Sequence, residues 1–317
     1  MLDKSSLPSN GNPIQRLGIG FPYFAALPAD LYRSDLIAFV EITPETICRQ
    51  RGIGKSVELE IVPELLADAQ QTCADLPVVI HGVELSIGSA HGLNGAYLNM
   101  LDRFQKEWSF VWHSEHLGFQ TIAGDDDATL EIGVPLPMPA TAEAVELVAS
   151  RSASIQQRYS VPFLLENPAH YFRDLPTDPE IGNEAGFLES VTKNSGCYLL
   201  LDLHNLYCNA VNLRFDAQEM INRLPLDRVI EIHVAGGSWR DGFWMDAHDG
   251  RVPEPVWKLL EYVLPLAPKV AGVVFELLEE HAVRLGPTAI EEELRRAWQI
   301  WSSHKKAQKA QNIQNES

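Results

Sequence analysis

Cysteine is scarce in this chain: Cys48, Cys73, Cys197 and Cys208 are the only four in 317 residues. None forms a C-x-x-C pair and there is no dense framework, which argues against a disulfide scaffold and for reduced thiols in a cytoplasm. Basic charge is also short, with 25 Lys and Arg against 43 Asp and Glu and a net charge of −18. Phosphate recognition leans on clustered cations, so no nucleic acid is expected as a partner. No apolar run approaches a membrane span, and the opening MLDKSSLPSNGNP lacks a signal-peptide apolar core, so no membrane is expected either. No G-x-G-x-x-G opens a helix, which removes the usual dinucleotide site.

What remains is an ordinary globular composition, 45% hydrophobic and 21% charged. We expect a flexible, polar lead-in over 1–14, one domain over 15–302 and a polar tail over 303–317. Within the domain, short apolar β-branched runs recur at 16–20, 38–42, 77–83, 110–116, 161–167, 198–205, 229–236 and 272–279. Helical patterns separate them, at 57–73, 96–108, 141–159, 187–194, 216–224, 253–265 and 287–304. Strands that are apolar almost throughout and alternate with helices indicate a parallel sheet covered on both sides. Eight such units predict an α/β fold of the (β/α)8 TIM-barrel type, with an open doubly wound sheet as the runner-up.

Seven of the eight runs carry a metal-competent side chain near the C-terminal end: Glu41, His81, His116, Glu166, Asp202, His233 and Glu276. A barrel brings those ends to one mouth. Alternation places Phe39, Val79, Leu164, Leu200 and Val274 on the same face just beneath them. Any one strand-end carboxylate reads first as a cap or ion-pair partner, and a lone strand histidine as a hydrogen-bonded core residue. Seven together are different, because buried ionisable groups are costly unless a cation or shared protons compensate. The stretch 229–250, VIEIHVAGGSWRDGFWMDAHDG, adds Asp246 and His248 after a glycine pair, giving more ligands than one ion needs. Imidazole and carboxylate without thiolate suit iron, manganese or zinc.

By alternation His204 shares a face with Asp202, and Glu231 with His233, so either could ligate or support a ligand. Asn167 and Asn205 could bind a metal or orient substrate. His113 is out of phase with His116, Glu115 should point away from it, His91 reads as a solvent-facing loop residue and Cys208 as a buried thiol.

The motifs HGV (81–83), SEHLGF (114–119), LLENP (164–168), LLLDLHN (199–205), EIHVAGG (231–237), DAHDG (246–250) and FELLEE (275–280) resemble, in order, those of the DUF692 family. These are the multinuclear non-haem iron-dependent oxidative enzymes, a group that includes the methanobactin biosynthetic oxidase. The resemblance implies a TIM barrel with two or three irons, mixed Fe(II)/Fe(III), at its mouth. It implies an oxidoreductase that uses O2 as co-substrate on a ribosomally made precursor peptide, most often at cysteine, in natural-product (RiPP) biosynthesis. Carried onto this sequence, it assigns His81, His116 and Glu166 to one iron, with Glu166 bridging. Asp202, His233 and Glu276 go to a second, and Asp246 and His248 to a third, more labile site. Where relatives often have a small or polar residue, this chain has His204. A separate leader-binding partner protein is the expectation. The competing readings are a divalent-metal TIM-barrel isomerase, a three-zinc nuclease, which the charge disfavours, and a non-catalytic metal-binding accessory protein.

Overall fold

The structure, a computed structural model, describes residues 14–52, 57–123 and 129–315, so most of the expected 1–14 lead-in lies outside the described residues. Eight parallel strands close a barrel in which every strand pairs with its neighbours in sequence. They are β1 (Gly18–Pro22), β2 (Phe39–Ile42), β3 (Val78–Gly82), β4 (His113–His116), β5 (Phe163–Glu166), β6 (Tyr198–Asp202), β7 (Val229–Ala235) and β8 (Gly272–Glu276). Seven lie within the expected apolar runs, and β1 overlaps the run 16–20 but continues to Pro22. β8 closes on β1 through Gly18↔Gly272 and Val274↔Gly20.

Helices cover the outside: α1 (Ala29–Tyr32), α2 (Pro63–Thr72), α3 (Gly95–Glu107), α4 (Ala142–Tyr159), α5 (Glu184–Ser195), α6 (Leu203–Leu213), α7 (Ala217–Ile221), α8 (Glu254–Val263), α9 (Glu279–Leu285) and α10 (Pro287–Asn315). Side-chain caps fix several starts. Asn94, Thr141, Asn183 and Asp202 each accept from a backbone N–H in the first turn of the helix that follows.

The barrel interior has its own apolar cluster of Phe39, Val79, Trp112, Leu164, Leu200, Ile230, Ala271 and Val274. The five residues expected beneath the strand ends are all in it. Phe39 needs room across the barrel, and two glycines provide it. A Cβ on Gly20 would stand 2.4 Å from the Phe39 ring, and one on Gly272 2.7 Å from it. In β7 the register against β6 jumps from Val229 to Glu231, so Ile230 is an extra residue, a β-bulge. The bulge lets consecutive residues reach the interior, Ile230 into the apolar cluster and Glu231 to Trp112 Nε1 at 2.9 Å.

Two expectations from the sequence are corrected. Residues 57–73 are not one helix: Glu58–Ile61 pairs antiparallel with Cys48–Arg51, and α2 starts only at Pro63. VELEI alternates with period two, and proline without an N–H suits a first helical position and not a helix interior. The run 198–205 is not all strand either. β6 stops at Asp202, whose carboxylate caps α6, so His204 and Asn205 are helical and the face argument made for His204 fails. Two further hairpins, Phe119–Ala123 with Thr129–Leu136 and Ser238–Arg240 with Phe243–Met245, follow β4 and β7. All three hairpins thus leave from C-terminal strand ends, the barrel face on which loops carry function.

Candidate metal centre

The strand ends deliver their side chains to one buried cluster. His81 on β3 and His116 on β4 each place Nε2 3.4 Å from Oε2 of Glu166 on β5. The second nitrogen of each ring decides what Nε2 offers. Ser114 commits its single hydroxyl proton to Ile80 O at 3.0 Å, so its oxygen accepts from His81 Nδ1, also at 3.0 Å. His116 Nδ1 donates to Gly82 O at 3.2 Å. Both rings therefore turn an Nε2 lone pair inward, the arrangement in which an imidazole ligand is oriented through its other nitrogen.

The carboxylates follow the same rule. Glu166 Oε1 accepts from Asn205 Nδ2 at 3.0 Å, leaving Oε2 toward the two imidazoles. Asp202 Oδ1 caps α6 through Asn205 N at 2.7 Å, leaving Oδ2 toward His233. Asn167 ties the strands together, donating to Asp202 O at 3.0 Å and accepting from Asp202 N at 2.8 Å. Among the described residues His81 Nε2, Glu166 Oε2 and Asp202 Oδ2 are buried without a hydrogen-bond partner. Three converging acceptors with no donor between them are costly to bury. A cation removes that cost, so the residues present fit a metal.

His233 on β7 stands at the centre, fully buried, with Nδ1 3.0 Å from Glu276 Oε2 and 4.0 Å from Asp202 Oδ2. Its Nε2 lies 3.0 Å from Oε2 of Glu41, so Glu41 holds that proton and Nδ1 faces the ion position. From the loop after the second β7 hairpin strand come Asp246 and His248. His248 Nε2 is 2.7 Å from Asp246 Oδ1 but off the hydrogen-bonding line, and its Nδ1 is 3.4 Å from Glu276 Oε1. His248 holds φ at +45°, a left-handed conformation that costs a non-glycine residue.

Without a cation the protons redistribute in a way these contacts explain. Burial, then His116 and His233, hold His81 well below the ordinary imidazole range. Burial lowers His116 as well. Burial and the nearby Asp202 raise Glu166 well above the carboxylate range. Burial also raises Asp202, to about 6. Burial works against a charged His233, yet Glu41 and Glu276 prevail and hold it well above its usual value. For Glu276 the burial effect is likewise overcome, here by His248 and His233, and its carboxyl is depressed.

All eight residues expected as ligands thus converge, and Asn167 and Asn205 brace them. His204 sits apart, against Asp246 rather than beside Asp202. His113 packs its ring on Tyr159 of α4 and bonds Glu115 at 2.7 Å, away from the centre. His91 is exposed and Cys208 buried. Sequence reasoning passed over Ser114, Tyr171 and Trp244. Ser114 was visible in principle, since it alternates onto the face of His116. Tyr171 and Trp244 act from loops, where no period marks them. Beyond His116 and Glu166, Leu117 and Pro168 help line an apolar cavity of about 230 Å³ with Met138, Phe172, Phe187 and Phe215.

The family described as RiPP precursor modification enzyme MbnB/TglH/ChrH matches residues 16–300. A UPF0276 protein of Caulobacter vibrioides is 34% identical over 251 residues, covering 78% of this chain and 82% of its own. A UPF0276 protein of Rhizorhabdus wittichii is 37% identical over 199 residues, with 62% and 68% covered. A xylose isomerase-like TIM barrel protein from Mycobacterium smegmatis, solved in complex with magnesium, has a TM-score of 0.52 at 12% identity and covers 91% of this chain and 97% of that one. At that identity the likeness concerns the fold alone.

Proposed function

We propose, from the premise that this chain belongs to the MbnB/TglH/ChrH family of RiPP precursor modification enzymes, that it is an iron-dependent oxidase using O2 to modify a ribosomally made peptide at cysteine. The observation that carries this reading is the set of inward lone pairs without donors, His81 Nε2, Glu166 Oε2 and Asp202 Oδ2. Such a set is built to hold cations, and imidazole with carboxylate suits iron.

His81, His116 and Glu166 would hold one iron, and Asp202, His233 and Glu276 a second, with Glu166 between them. Asp246 and His248 would hold a third. Bound iron would supply a seat for a substrate thiolate and a redox centre for dioxygen chemistry. The chain's own residues do the rest. Asn205 keeps Glu166 turned toward the ions, and Glu41 keeps the proton of His233 on Nε2 so that Nδ1 stays available. The apolar floor beneath excludes water from below. At the rim, Phe172, Trp239, Phe243, Leu278 and Val283 are exposed on segments that follow β5, β7 and β8. An apolar rim of this kind suits a peptide better than a sugar phosphate. No helix among the described residues is long and apolar enough to cross a membrane.

The test is co-expression with the precursor peptide and its partner protein, followed by mass spectrometry of the peptide. A mass shift that requires iron and oxygen is expected. An unchanged mass with iron, reductant and oxygen supplied would overturn the proposal, and tightly held zinc with no oxygen uptake would favour a hydrolytic or isomerase reading.

A further inference from the structure

We propose that His204 is a positioning residue that aims the carboxylate of Asp246 at the third ion, and that Trp244 locks it in the tautomer needed for this. The inference rests on Asp246 being a ligand of that ion.

His204 lies in the first turn of α6 and is fully buried. Its Nδ1 is 2.8 Å from Asp246 Oδ1, and its Nε2 is 3.1 Å from Trp244 Nε1. An indole N–H only donates, so Nε2 must be the accepting nitrogen. The ring proton then sits on Nδ1 and is donated to Asp246 Oδ1. Turning the ring over would put carbon at both contacts, so the two bonds define one orientation. That bond fixes the carboxylate with Oδ1 2.7 Å from Nε2 of His248, the other candidate ligand of the ion. The backbone at the same residue is pinned separately, as Asp246 N donates to Tyr171 Oη at 3.0 Å.

The glycine pair that interrupts the sequence after β7 makes room for this arrangement. A Cβ on Gly237 would stand 2.7 Å from His204 Nε2, and one on Gly236 would stand 2.5 Å from the carbonyl oxygens of Gly250 and Arg251. Trp244 is anchored in turn: its N–H donates to Asn212 Oδ1 at 2.9 Å and its carbonyl accepts from Asn212 Nδ2 at 2.8 Å. His204, Cys208 and Asp246 lie close enough together to suggest a ligand triplet of their own. Two facts oppose it. Trp244 already occupies the Nε2 lone pair, and Cys208 Sγ is 3.8 Å from both ring nitrogens, so it is in line with the lone pair of neither. His204 therefore acts through Asp246 and does not itself bind the ion.

The experiment is an anaerobic Fe(II) titration of the full-length protein, with ions counted by elemental analysis, the weakest site measured by chelator competition, and melting followed in parallel. Asp246→Ala should lose the third ion. His204→Phe should weaken it by ~10–100-fold, the usual cost of removing a ligand's outer partner, while the other ions stay. Trp244→Phe should weaken it less, and His204→Asn, which restores an N–H donor toward Asp246, should recover most of the affinity. The double variant His204→Phe/Trp244→Phe should be no weaker than His204→Phe alone, because both act through one chain of bonds. If Asp246→Ala keeps its ion count, the ligand reading fails and this inference with it. If Asp246→Ala loses the ion but His204→Phe and Trp244→Phe bind it normally, the positioning role alone is overturned. The positioning role is also overturned if Trp244→Phe tightens the ion, or if His204→Asn loses it as fully as Asp246→Ala. Should His204→Phe melt early, Trp244→Phe and His204→Asn decide the matter.

Discussion

The centre draws on two kinds of backbone. His81, His116, Glu166, Asp202, His233 and Glu276 stand on barrel strands, where a paired neighbour on at least one side sets each Cα. Asp246 and His248 stand on a loop with no sheet to hold them, one pinned by Tyr171 and His204, the other at φ +45°. Strand ligands inherit their geometry from the fold. Loop ligands owe theirs to a few side-chain bonds, so their ion should be the easier to lose and the more sensitive to remote substitution. On the proposed function, the same contrast would make the third site labile and the pair beneath it firm.

Ways to break this contrast can be ranked by size. Glu166→Ala removes the oxygen shared by two imidazoles, and should lower both iron content and peptide modification by more than ~100-fold, beyond the cost of losing an outer partner. Modification retained at normal levels would mean the centre lies elsewhere. Asn205→Ala keeps the ligand but frees Glu166 Oε1, and should weaken iron in the strand sites by ~10-fold in a chelator competition, the low end of the cost of losing an outer partner.

Acid should act next. Glu166 and His233 both hold protons more firmly than usual in the metal-free protein, and an ion must displace them. Binding therefore releases protons, and affinity must fall as pH falls. An unbuffered titration should show net acid release on adding Fe(II), and its absence would mean these groups are not ligands. The smallest effect belongs to Ser114→Ala, which removes the partner of His81 Nδ1 while the sheet still holds the ring. About 1 kcal/mol, or roughly fivefold in affinity, is expected. If it costs as much as His204→Phe, the distinction between strand and loop ligands is wrong.

The sequence and the structure agree where one period governs. Each apolar run became a barrel strand because a strand buried on both faces has few alternatives, and in seven of the eight a residue near its C-terminal end became a candidate ligand for the same reason. Agreement failed where a side chain ended an element. Nothing in the pattern of YLLLDLHN announces that Asp202 turns its carboxylate back to cap α6. With that turn His204 leaves the Asp202 face and meets Asp246 instead. The bulge at Ile230 is equally silent, since an extra residue in an apolar run changes phase without changing composition. Glu231 thereby sits below the candidate centre, where burial and the neighbouring Glu41 raise it to about 8. Ser114, Tyr171 and Trp244 are ordinary residues whose meaning comes only from the atoms they reach.

The packed floor under the centre has a consequence for traffic. Phe39 and Trp112 lie edge to face with ring centres 5.7 Å apart, and the cluster around them is buried throughout. Under the proposed function, ions, oxygen, peptide and product would therefore have to pass through the mouth opposite this floor. A peptide seated at the rim becomes a stopper: chelators should strip iron more slowly while it is bound, and metal loading has to come before substrate. Turnover in such a vessel is a queue, in which each departure must clear the opening before the next arrival.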